Sequence, residues 1–232
     1  MTKLGIVCGL AFEAAIIERA AQQLAPAPAP LIACSGPGPD RARTAALSLT
    51  NQGASALLSF GISGGLDPSL ETGAVVVATN LHGGTSPSCD SPWTARLYES
   101  LKADFKTVRA PLAGAKDVLA TPADKTALFQ ASGAAAIDME SIGIADAAAD
   151  KGLPFAALRV VCDTAGETIP PVAIAAMSGD GRVRTLMTLV QALAHPAQIP
   201  DLVRLGRRTA TAKNVLENLA GFGVLGLFRA FG

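Results

Sequence analysis

IDMESIGIADAAADKGLPFAALRVVCD, Ile137 to Asp163, carries a strand end, an alanine-rich helix and a second strand in one run. The helix reads over 140–151 and the strand over 155–162. The strand is continuously apolar rather than alternating, the pattern of a strand covered on both faces. Asp138, Glu140 and Asp163 stand where the helix begins and where the strand stops. A single acid there is commonly a solvated cap. Carboxylates are rarely buried unless paired or put to use, and several on one edge of one sheet point beyond capping.

The same alternation continues outward. Apolar runs predict strands over 4–8, 31–34, 56–60, 74–79 and 107–112. Helical patterns fall between them over 12–24, 40–52, 92–103 and 122–130. Strand–helix–strand repetition implies right-handed crossovers and a mixed, mostly parallel central sheet flanked by helices, an α/β fold. The APAPAP run, 25–30, is a stiff turn rather than a linker. Beyond Pro171 the pattern is helical only, over 183–194 and 199–215. The expectation is one α/β domain over 1–198 and a helical C-terminal segment over 199–232, docked on that domain or on a partner.

Composition removes several function classes. Half of the 232 residues are hydrophobic, and 19 basic groups balance 19 acidic ones. No global positive field exists for nucleic acid, and aromatics at 4% are too few for a base-stacking surface. Cys8, Cys34, Cys89 and Cys162 form no C-x-x-C pair, and with His82 and His195 they make no metal-ligand spacing, so no metal is expected. The N-terminus is a poor signal peptide and no stretch is apolar for 18 residues, which makes the cytoplasm the expected compartment.

Ligands of parallel α/β sheets bind beyond the carboxyl ends of the strands. After the first strand, GLAFEAA places Glu13 in a helix's first turn, where an acid complements the dipole. After the second, SGPGPDRA is not a dinucleotide fingerprint, because the third glycine would fall at Arg41. It is a candidate anion-binding turn, built from Ser35, Gly36, Gly38 and Arg41 ahead of a helix, or a plain turn. After the third, Gly61, Gly64 and Gly65 make a close-approach loop. No histidine stands near a nucleophile, so a Ser/His/Asp or Cys/His mechanism lacks its base. Carboxylate chemistry is what is available.

GIVCGLAFEAA, GISGGLDPSLETGAVVVAT and the pair IDMES with LPFAALRVVCD resemble segments of the nucleoside phosphorylase and nucleosidase superfamily. The resemblance runs over about 4–165 and is most specific in DMES…RVVCD. DGRVR and HPAQIPDLVRLGRRT are similar to the hopanoid-associated branch, which acts on adenosylhopane, a purine nucleoside attached to a lipid. The resemblance implies a nucleoside phosphorylase-like fold, a homo-oligomer and cleavage of the N-glycosidic bond of a 5′-substituted adenine nucleoside. No cofactor is implied, with phosphate as a candidate co-substrate. Asp163 then corresponds to the acid that protonates N7 of the base, and Glu13 to the residue that activates water. Glu140 corresponds to the acid that grips the ribose hydroxyls and has to stay ionised, with Met139 packed on the sugar and Asp138 beside them. Ile62, Ser63 and Gly64 would lie next to the ribose, and Val118 stands where a base-stacking aromatic often lies. Ile62 replaces the serine of hydrolytic nucleosidases. The nucleophile stays open between phosphate, favoured slightly by the branch, and water. Two other readings are a methylthioadenosine/S-adenosylhomocysteine nucleosidase and a non-catalytic nucleoside-binding protein.

Residues 200–232 carry Arg204, Arg207, Arg208, Lys213 and Arg229 against Asp201 and Glu217, then end in LAGFGVLGLFRAFG. Such a tail either docks on protein or leans on an anionic membrane face. The second option would serve a lipid-linked substrate drawn from the inner face of a membrane.

Overall fold

The computed structural model describes residues 3–23, 29–84, 89–176 and 199–229; side chains are described as far as Gly221. Among these described residues seven strands alternate with helices. The strands are β1 (Leu4–Cys8), β2 (Leu31–Cys34), β3 (Ala56–Gly65), β4 (Val75–His82), β5 (Thr107–Gly114), β6 (Ala136–Asp138) and β7 (Phe155–Asp163). The helices are α1 (Ala11–Gln22), α2 (Pro39–Asn51), α3 (Ser91–Leu101), α4 (Pro122–Ser132), α5 (Ser141–Asp150), α6 (Pro171–Ala176) and α7 (Ile199–Arg229). The expected helix over 183–194 lies outside the described residues.

The strand order is β2-β1-β3-β6-β5-β4-β7, and β7 also pairs with β3. Strands β3, β6, β5, β4 and β7 therefore close into a ring, from which β1 and β2 extend as a flap. Pairing is parallel except for β3–β6 and β4–β7. The expected α/β class and mixed sheet hold.

One expectation needs correction. Gly61 to Gly65 is not a loop; it is the second half of β3, whose register shifts between Ser63 and Gly64. Past that irregularity Gly64 faces both Ile137 of β6 and Asp163 of β7. A bulge bends a strand and re-aims its side chains, and here it brings the ends of three strands together.

All nine residues of β7 are buried. Alternation sends Ala156, Leu158, Val160 and Cys162 into the core under α1, α3 and α7. It sends Phe155, Ala157 and Val161 into the core under α2 and α5. Arg159 stands between them in the second set. Helices α2 and α5 approach so closely that a Cβ at Gly143 would stand 1.9 Å from the Pro39 carbonyl oxygen, so only glycine fits. Helix α7 places Ala212, Leu216, Leu219 and Ala220 in the first core and holds Arg19 of α1 through Glu217 at 3.0 Å. Among the described residues no helix is long and apolar enough to cross a membrane.

Candidate active site

A cavity of about 460 Å³ opens where β1, β3, β6 and β7 end, within the usual range for small-ligand sites. The lining includes Glu13 on α1, Asp138, Met139 and Glu140 at the β6–α5 junction, and Asp163 at the end of β7. Ile62, Ser63 and Gly64 of β3 and Val118 complete the expected residues found there. Ser63 is buried with its hydroxyl unpartnered, a polar group ready for a ligand.

The candidate anion-binding residues are placed differently. Ser35, Gly36, Gly38 and Arg41 do not line the cavity; Pro37 alone of that turn does. The Ser35 hydroxyl bonds back to the Cys8 and Gly36 carbonyls. The Gly38 N–H is held by Glu140, and the exposed Arg41 guanidinium donates to Pro37 O at 3.4 Å. The Ser35 hydroxyl, the Gly38 amide and one Arg41 donor are thus engaged locally.

Arg159 organises the acids, and no reading of the sequence singled it out. Its side chain is 1% exposed. Its Nε stands 2.6 Å from Asp138 Oδ2, close enough to pair as charges although the N–H is not aimed at that oxygen. Nη2 reaches Ser59 Oγ at 2.5 Å, Ser141 Oγ at 3.3 Å and Glu140 Oε2 at 3.4 Å. Asp138 faces inward to this guanidinium, accepts from the Ser141 hydroxyl and caps α5 by accepting from the Glu140 and Ser141 amides. These contacts tie β6 to β7 and α5.

Glu13 Oε1 accepts from the Ile62 amide at 2.8 Å and Oε2 from the Leu10 amide at 2.9 Å. A Cβ on Gly61 would meet Glu13 Oε1 at 2.5 Å and Arg159 Nη1 at 2.7 Å, so the bare backbone there leaves room for both the acid and the guanidinium. Burial raises the Glu13 carboxyl above its ordinary range, against the pull of Arg159 and the amides. Burial also pushes Glu140 up to about 8, aided by the charges of Asp138 and Glu13 and opposed by Arg159. Burial and the neighbouring acids thus work against the ionised Glu140 that its expected role asks for, and Arg159 works for it.

Asp163 is also raised by burial, as its expected acid role requires, but it is not alone. The fully buried Lys125 of α4 lies 2.5 Å from its Oδ2. Lys125 sits in PADKTALFQ, where one lysine among helical residues carries no signal of burial.

Apart from Asp117 and Thr209, the rest of the lining is apolar. Leu202, Leu205, Gly206 and Thr209 of α7 form a wall with Ile169, Ala173 and Phe12. Phe12 is the single aromatic among the described lining residues. Among the described residues no cluster of acids, histidines and cysteines could hold a metal ion.

Several solved structures share this fold. A futalosine hydrolase mutant of Helicobacter pylori superposes with a TM-score of 0.67 at 16% identity, covering 94% of this chain and 97% of that one. A 5′-methylthioadenosine/S-adenosylhomocysteine nucleosidase of the same organism, with butyl-thio-DADMe-Immucillin-A, gives 0.68 at 17%, covering 94% and 97%. The corresponding nucleosidase of S. pneumoniae, with a transition-state inhibitor, gives 0.65 at 18%, covering 95% and 99%. No curated protein sequence matches the chain. The family model of the phosphorylase superfamily does match it, over residues 24–179. That span runs from the end of α1 past β7 and takes in most of the cavity wall, and on this ground the chain belongs to the phosphorylase superfamily.

Proposed function

We propose that the chain cleaves the N-glycosidic bond of an adenine nucleoside whose 5′ position carries a bulky apolar group, with adenosylhopane as the fitting example. One observation carries this reading: a single cavity joins an acid cluster suited to a nucleoside to an apolar wall, supplied by α7, that a sugar and a base do not need. The solved nucleosidases of the same fold support the nucleoside half of the reading.

In this mechanism Asp163 gives its proton to N7 of the purine. The electron pair of the C1′–N9 bond passes to the departing adenine, and positive charge develops on the sugar ring, as in glycoside hydrolysis. Glu140, with Met139 beside it, binds the sugar hydroxyls. Glu13 takes a proton from water as the water oxygen bonds to C1′. A carboxyl raised by burial is suited to both proton steps near neutral pH. Water is the nucleophile favoured here, because Ser35, Gly36, Gly38 and Arg41 of the turn that would hold phosphate do not line the cavity and Glu13 would repel an anion. The 5′ group lies along Leu202, Leu205 and Gly206, and a lipid substrate would be drawn from a membrane on the α7 side.

The test is adenine release, followed by chromatography, from adenosine, methylthioadenosine and a 5′-long-alkyl adenosine, each with and without phosphate. The expected result is the highest kcat/KM for the long-alkyl substrate at rates independent of phosphate. Phosphate dependence overturns water as nucleophile. Preference for methylthioadenosine returns the chain to the methylthioadenosine/S-adenosylhomocysteine reading, and binding without release makes it a nucleoside-binding protein.

A further inference from the structure

Lys125 has 0% side-chain exposure and lies 2.5 Å from Asp163 Oδ2. It also donates to the Thr164 carbonyl at 2.9 Å and to the Glu167 carbonyl at 3.0 Å. An ammonium group has three donors, and all three are taken, each by the turn that leaves β7. Glu167 closes the same turn: its Oε2 accepts from the Thr164 amide at 2.9 Å, and its Oε1 pairs with Arg208 of α7. The base-facing carboxylate is therefore clamped from α4.

Burying an ammonium is costly unless its charge is matched and its donors are satisfied. A structural tie for this turn could have been made by a neutral donor. A lysine adds a positive charge at Oδ2 and makes no bond to Oδ1, on a carboxylate that lines the cavity. We propose that Lys125 is the positioning residue of the site: it pins Oδ2, aims Oδ1 at the purine and supplies the charge against which Asp163 exchanges its proton. The inference rests on the reading of Asp163 as the donor to the base.

The groups that face Asp163 are Lys125 from α4 and Glu167 from its own turn, with Arg208 of α7 neutralising Glu167. Burial raises the Asp163 carboxyl and Lys125 opposes that rise. The sign follows. Without the ammonium the carboxyl keeps its proton to higher pH, and the alkaline limb of kcat/KM moves up.

The experiment compares wild type, K125M and K125R in two ways. The first is the pH profile of adenine release from a soluble 5′-substituted adenosine. The second is the titration of the Asp163 carboxyl by carbon-13 NMR, assigned with D163N and needing no substrate. For K125M the expectation is an alkaline limb and an Asp163 titration both displaced upward by about one pH unit or more, the scale of a lost opposite charge at contact distance. Its kcat should fall ~100-fold with KM changed far less, as for a misplaced catalytic group. K125R should restore the limb. If K125M does not fold, K125Q replaces it, keeping two donors without the charge.

An even loss of kcat/KM with an unmoved limb and an unmoved Asp163 titration overturns the proposal and leaves Lys125 as a structural tie. The outcomes separate from those of the function itself. No adenine release by wild type, with the Asp163 titration displaced in K125M, removes the nucleoside reading and keeps the lysine's hold on Asp163. Release by wild type with that titration unmoved removes the lysine's role alone.

Discussion

Glu140 shows what burial does to a charge. Its carboxyl is 8% exposed and shares Arg159 with Asp138 and Glu13. In the unfolded chain it ionises near 4.5, and in the fold near 8. The folded state therefore binds the proton more tightly across that window, and stability is full below it and declines as pH rises through it. Thermal melts from pH 5 to 8 are expected to show a falling Tm in wild type and a flatter profile in E140Q, which cannot ionise; equal slopes would mean that Glu140 does not couple to folding. The acids of the site were legible as residue types, because Asp138, Glu140 and Asp163 interrupt apolar sequence at element ends. The cations were not. Arg159 occupies one alternate position of a strand and Lys125 one turn of a helix. A sequence read alone cannot distinguish a long cation that reaches outward from one turned in against acids distant in the chain.

At the scale of elements, the strands and helices that surround the site followed from local pattern, since each apolar run and each 3.6-residue stripe is a short-range signal. The reach of β3 did not. Glycines at 61, 64 and 65 read as a turn, yet pairing to β6 and β7 draws them into the sheet, a tertiary demand that overrides local preference. Helix α7 was legible as a helix, but its place against the cavity was not, because nothing within Leu202–Thr209 says what it packs against. That placement makes a prediction. A Cβ at Gly206 meets nothing within 4 Å, so a larger side chain can be accommodated by the helix while narrowing the cavity. G206L should raise KM for a long-alkyl 5′ substrate ~10-fold and leave adenosine little changed. An equal effect on both substrates, measured in the adenine-release assay, would detach α7 from the 5′ group. The size follows from a lost contact of one to two buried methylenes, about 1.4 kcal/mol per tenfold.

For the whole molecule, helix α7, in the segment beyond residue 198 expected to dock on the domain or on a partner, shares a core with the central strands. Ala212, Leu216 and Leu219 are 0% exposed and belong to the same cluster as Leu58, Phe60 and Leu158 of the central strands. Removing them uncovers one face of the sheet, at about 2–5 kcal/mol for each large side chain lost from a core, which exceeds the margin of a typical domain once two or three are gone. A chain ending at residue 198 is therefore expected to lose its cooperative melt and enter the insoluble fraction. A soluble product with wild-type near-ultraviolet dichroism would show that the helix is an accessory. The ring of strands has a further bearing on how the protein behaves when crowded. Inside the ring each strand has a neighbour on both sides over at least part of its length, and outside it the sheet ends in β2, a run of four residues from Leu31 to Cys34. A border that brief offers little for a neighbouring chain to extend. The architecture that gathers the acids around the cavity thereby also leaves the sheet a short outer edge for edge-to-edge association.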